Sequence, residues 1–161
     1  MGDKITDIEK LFSINHIKEG QKLLLVDCPK EIFSYCKKFQ PAKLVGCYID
    51  SAECKEMADE YEVITLANSY GYMEEPFDML IIYLNSKNIS ELKMYIKRLS
   101  MILCKSGRVV IFYEFNDMEV ECLTNYDVDT VVHDLIYGYF MTTSRCRIDN
   151  GYVVSAIKLS R

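Results

Sequence analysis

The chain lacks any apolar run near the roughly 18 to 20 residues needed to cross a bilayer. It also lacks a basic-then-apolar leader, beginning Met1-Gly-Asp-Lys-Ile-Thr-Asp7, so neither a membrane segment nor a signal peptide is expected. Seven cysteines are scattered singly with no Cys-x-x-Cys pair, which argues against a zinc knuckle and a secreted disulfide scaffold. Reduced thiols packed as small apolar groups in a cytoplasmic protein are the expectation. Basic charge is also short. Nineteen Lys and Arg against 24 Asp and Glu give a net charge of −5 with no basic stripe. Nucleic acid is therefore not an expected partner, because phosphate contacts carry much of such binding.

Only three prolines occur, and no linker, low-complexity segment or internal repeat is visible. At 161 residues, half of them apolar, the chain suits one domain with a full core over 1–161. Ile5, Ile8, Leu11, Phe12 and Ile17 recur at helical spacing and predict an N-terminal helix within 1–19. From 20 to 139 the apolar period alternates between strand and helix. Strands are expected at Leu23 to Val26, Lys43 to Ile49, Glu62 to Leu66, Phe77 to Leu84 and Arg108 to Phe115. Helices are expected from Pro29 to Phe39 and from a cap at Asp50 to Ala58. A third helix, with Ile89, Leu92, Ile96, Leu99 and Leu103 on one face, is expected between a cap near Asn88 and Gly107. Val128, Val131, Val132, Leu135 and Ile136 mark a fourth. Residues 140–161 read as a hairpin turning at Asp149-Asn-Gly151. This pattern predicts an α/β three-layer sandwich. Its seven-stranded sheet would be mostly parallel, with a C-terminal antiparallel hairpin.

Three segments carry a family resemblance: Pro76-Phe-Asp-Met-Leu-Ile-Ile82, Leu103-Cys-Lys-Ser-Gly-Arg-Val-Val-Ile111, and Gly138-Tyr-Phe followed by Gly151-Tyr-Val-Val-Ser-Ala-Ile-Lys158. In this order and at these intervals, the chain resembles the class I S-adenosylmethionine-dependent methyltransferases over nearly its whole length. The resemblance implies that family's Rossmann-like fold. It also implies a cofactor site at the end of strand one, with an acidic residue and a Gly-x-Gly-x-Gly loop. Laid over Gly20 to Glu31, the acid falls on Leu25 and the glycines on Asp27, Pro29 and Glu31. Side chains there take up ligand volume, and Pro29 lacks an N–H. The family's ribose-binding acid falls on Tyr48, and Asp50, two residues later, reads as a helix cap. Where an acid often stands near the adenine, this chain has Ala67-Asn68-Ser69.

Two readings follow. The leading one is a non-catalytic, methyltransferase-like domain acting as a protein-interaction or regulatory module, with the S-adenosylmethionine site lost and no cofactor. The alternative is a divergent active methyltransferase that holds S-adenosylmethionine through Asp27, Cys28, Tyr48 and Asn68. Cys28 precedes a helix N-terminus, where a thiol can become reactive. The histidines are only His16 and His133, however, and His133 reads as a surface residue, so no catalytic base is at hand.

From Glu114 to Asp134 there are seven acids and no lysine or arginine. Glu114, Asp117 and Glu119 follow strand five. With Asp27, Glu31, Glu74 and Glu75, they are expected to form an acidic rim on the sheet's carboxyl edge, suited to a protein partner with a basic segment. Tyr70, Tyr72 and Met73 are expected either to form an interface patch or to cover the vacant cleft. A homodimer is compatible with either arrangement.

Overall fold

The computed structural model describes residues 17–72, 74–85, 88–114, 125–148 and 151–159. The N-terminal helix expected at 1–19 falls mostly outside the described residues, as do Met73 and the turn at 149–150.

Strand β1 (Lys22–Val26) is apolar from Leu23 onward because both of its faces are covered. Leu23 and Leu25 point into one apolar cluster, Leu24 and Val26 into another. Helix α1 (Lys30–Lys37) starts behind Pro29 and buries Ile32, Phe33 and Cys36. Strand β2 (Lys43–Tyr48) pairs parallel with β1. Helix α2 (Ser51–Met57) is capped by Asp50, whose carboxylate accepts the Ala52 N–H at 2.8 Å, as the sequence led us to expect. Strand β3 (Glu62–Thr65) follows, then a 3-10 helix, Leu66–Tyr72. Strand β4 (Phe77–Leu84) returns beside β1. Beyond it come helix α3 (Leu92–Leu99) and strand β5 (Leu103–Glu114). Helix α4 (Asn125–Tyr137) and strands β6 (Phe140–Ile148) and β7 (Gly151–Lys158) complete the chain.

The seven strands form one sheet in the order β3-β2-β1-β4-β5-β7-β6. Only β7 runs against the others, pairing antiparallel with β5 and β6. Residues of α1 and α2 join the apolar cluster on one face, and those of α3 and α4 join the cluster on the other. The expected three-layer α/β sandwich is therefore observed.

Three local expectations are corrected. The third helix does not run to Gly107. It ends at Leu99, a 3-10 turn spans Ser100–Ile102, and Leu103 already pairs with Phe77. The Lys158 ammonium group donates to the Ser100 and Leu103 carbonyls at 2.6 and 2.9 Å. These contacts satisfy helix-end acceptors from the far end of the chain. Asn88 does not cap that helix with its side chain. Ile136, placed on the apolar face of α4 by periodicity, is exposed, while Val131 and Leu135 are fully buried.

Candidate functional site

The sheet reverses its order between β1 and β4: the chain moves outward through β2 and β3, then returns to β4 on β1's other side. In open α/β sheets, the crevice at the carboxyl ends of such a strand pair is where ligands bind. Its floor here is the β1–α1 junction. Asp27 has φ 53, a left-handed backbone unusual for a non-glycine residue. Its N–H donates to the Cys47 carbonyl at 3.0 Å, which ties the junction to β2.

The Asp27 side chain turns toward α3. Its carboxylate accepts the Tyr95 hydroxyl and the Asn88 amide at 3.2 Å. The same Asn88 amide donates to the Tyr83 carbonyl at 3.0 Å, and its oxygen accepts the Asn85 N–H at 2.7 Å. Asn88 is thus locked to the end of β4, and Asp27 is bonded directly across the strand-order reversal. Burial and then the Asp27 carboxylate push the Tyr95 hydroxyl well above its ordinary range, so it stays a donor.

The other side of the junction is closed by Tyr48. Its hydroxyl donates to the Cys28 carbonyl at 2.8 Å, and its ring belongs to the cluster under α1. Cys28 is 2% exposed. Its thiol donates to the Ile81 carbonyl at 3.4 Å. Burial, followed by the neighbouring Cys36 and Asp27, raises its pKa, so the thiol stays protonated and inert. Cys36 and Cys47 are each pushed up to about 12 by burial. Among the described residues, no group of His, Cys, Asp and Glu is arranged to hold a metal. His133 lies on the surface of α4.

The structure therefore brings Asp27, Cys28 and Tyr48 together. Asn68 is exposed on the 3-10 helix after β3, which also carries Tyr70 and Tyr72. Of the expected acidic rim, Glu114 ends β5 at the carboxyl edge, while Asp117 and Glu119 lie outside the described residues. Burial and then Asp27, Asp50 and Glu56 push Glu53 above its ordinary range, so this edge carries a negative field. Glu75 does not belong to it. It lies 3.9 Å from Lys43, at the start of β2, because the crossover into β4 has by then returned to the amino edge. Asp78 has a fastening role: its carboxylate accepts the Lys22 N–H at 2.8 Å, pinning the start of β1 to β4.

Tyr95 and Asn88 were not legible as site residues. Tyr95 reads as one more bulky residue on a helix, and nothing local links it to an acid 68 positions away.

No protein-family model matches the chain, and no curated protein matches it by sequence. Solved structures do. The fold is that of the class I S-adenosylmethionine-dependent methyltransferases. A ribosomal protein L11 methylase from Lactobacillus delbrueckii subsp. bulgaricus superposes with a TM-score of 0.65 at 12% identity, covering 95% of this chain and 77% of that one. Fibrillarin from Aeropyrum pernix, solved with natively bound S-adenosyl-L-methionine, gives 0.65 at 10% identity, covering 94% and 73%. A putative hemolysin from Lactococcus lactis gives 0.70 at 11% identity, covering 96% and 88%.

Proposed function

We propose that this chain is a methyltransferase-like domain that does not transfer methyl groups and acts in the cytoplasm by binding a protein partner. The observation that carries this reading is the Asp27 carboxylate held by Tyr95 and Asn88 across the β1–β4 crevice. An adenosyl ligand that displaced the Asp27 side chain would break two hydrogen bonds to a charged group. Together these are worth about 3 kcal/mol or more, or about a hundredfold in affinity. The residues matched to the glycine loop agree: Asp27, Pro29 and Glu31 all bring bulk where a bare backbone would make room. The carboxyl edge, with Glu114, Asp27, Asp50 and Glu53, suits a partner segment that carries basic residues. A second copy of the chain is one form that such a partner could take.

One observation favours the alternative, an active methyltransferase of divergent site. The left-handed backbone at Asp27 keeps the path that a glycine would take, and the alternative assigns the adenine contact to Asn68.

Calorimetry with millimolar S-adenosylmethionine and S-adenosylhomocysteine separates the two readings. No heat of binding is expected. Binding that is lost on Asn68→Ala would replace the proposal with the alternative.

A further inference from the structure

On the sheet face covered by α3 and α4 lies a groove of about 740 Å³, distinct from the carboxyl-edge crevice. One wall is the outer side of α3, with Lys93, Lys97 and Arg98. The other is the end of α4 and the turn into β6, with Tyr137 and Tyr139. Gly138 sits between the two tyrosines because α3 leaves no room there. A Cβ at that position would stand 2.2 Å from Ile96 Cγ2. Both rings stand at the rim, where Tyr137 is 75% and Tyr139 50% exposed.

The charge of this groove is opposite to that of the chain. Its lining carries three cations and a single carboxylate, Asp134, which is buried and lies 3.9 Å from the Lys93 ammonium group. Lys97 and Arg98 have no ion-pair partner among the described residues. A chain of net charge −5 therefore presents a local excess of positive charge beside exposed aromatic rings.

We propose that this groove docks an acidic peptide segment of a partner protein, with an apolar side chain between Tyr137 and Tyr139 and carboxylates along Lys93, Lys97 and Arg98. Two features select a peptide. The cations are spread over about 7 Å of helix axis, which suits successive carboxylates better than one compact anion. Tyrosine and arginine are also the residue types that anchor protein interfaces. A nucleic acid would meet too few cations for a run of phosphates. The inference supplies a partner surface opposite in sign to the carboxyl edge. It rests on the preceding section only for the idea that the domain works through partners, and the cofactor calorimetry leaves it untouched.

The test is selection of short random peptides displayed on phage against the full chain, followed by fluorescence anisotropy of the enriched peptides at low and high salt. Enriched peptides should combine Asp or Glu with aromatic or aliphatic residues and should weaken with salt. They should lose roughly tenfold or more in affinity to Lys97→Glu with Arg98→Glu, and again to Tyr137→Ser. Lys97→Gln with Arg98→Gln serves if the charge-reversed chain melts early. The inference is overturned if no peptide enriches, if the enriched peptides are basic or uncharged, or if these variants bind unchanged. Displacement of the peptide by oligouridylate would assign the groove to nucleic acid instead. A micromolar dimer in sedimentation that the charge reversal dissolves would assign it to a second copy. Either outcome ends the proposal.

Discussion

The Tyr95 hydroxyl donates to the Asp27 carboxylate, joining the middle of α3 to the tip of β1 across 68 positions of chain. With the Asn88 amide on the same carboxylate, it closes the crevice that the strand order opens. Both readings of function turn on this contact.

Its contribution is measurable in a double-mutant cycle. Tyr95→Phe and Asp27→Ala should each destabilise the fold, by about 1–3 kcal/mol, since the first removes one of two donors to the carboxylate and the second leaves the Tyr95 hydroxyl without its acceptor. Their coupling should exceed about 0.5 kcal/mol in urea denaturation. Asp27→Gly gives a test of sign. Glycine would relieve the left-handed backbone at φ 53, which is worth about 1–2 kcal/mol. It also removes the acceptor for both bonds, so the net change should be a loss. A gain in stability would show that the bonds across the crevice contribute little.

Gly151 opens β7 and pairs with Glu114 of β5 and Ile148 of β6. A Cβ there would stand 1.7 Å from the Tyr113 carbonyl oxygen, a backbone atom that cannot yield without displacing β5. Gly151→Ala should lower the melting temperature by roughly 5 °C or more. Gly71→Ala is the control, because a Cβ there meets nothing within 4 Å. Equal melting of the two variants would mean that β7 can shift to absorb the methyl group.

Alkali should weaken the fold. Burial holds Cys36 and Cys47 at about 12, against 9.0 when unfolded. Below the unfolded value both states keep the proton, and the stabilisation is complete. Above it the unfolded thiols ionise while the folded ones do not. Stability then falls by about 1.4 kcal/mol per pH unit for each thiol until the folded pKa is passed. Tyr48 and Tyr95, raised from 10.0 by burial, add to the loss at higher pH. Urea midpoints should therefore decline steadily above about pH 9. Cys47→Ala should flatten the decline. A midpoint insensitive to alkali would contradict the burial of these thiols.

Much of the architecture is readable from short stretches. Leu23 to Val26 and Met79 to Leu84 are continuous apolar runs because strands in the middle of a covered sheet meet side chains on both faces. Asp50 announces α2 because a capping carboxylate bonds an N–H only two residues on. Glu75 was misplaced because its position depends on where a crossover ends, and the 3-10 helix that shortens that crossover has no apolar period of its own. The end of α3 lies short of Gly107 because Leu103 leaves the helical pattern to pair with Phe77, a partner 26 positions away in the chain.

The same division holds at the site. Missing glycines at Asp27, Pro29 and Glu31 were visible in the chain, since bulk and φ preference belong to single residues. That Asp27 would meet Tyr95 and Asn88 was not visible, because their meeting depends on β4 lying beside β1. Periodicity and caps report forces acting over one or two turns of backbone. Which carboxylate finds which hydroxyl is decided only when the sheet sets its strand order and brings distant segments within hydrogen-bonding distance.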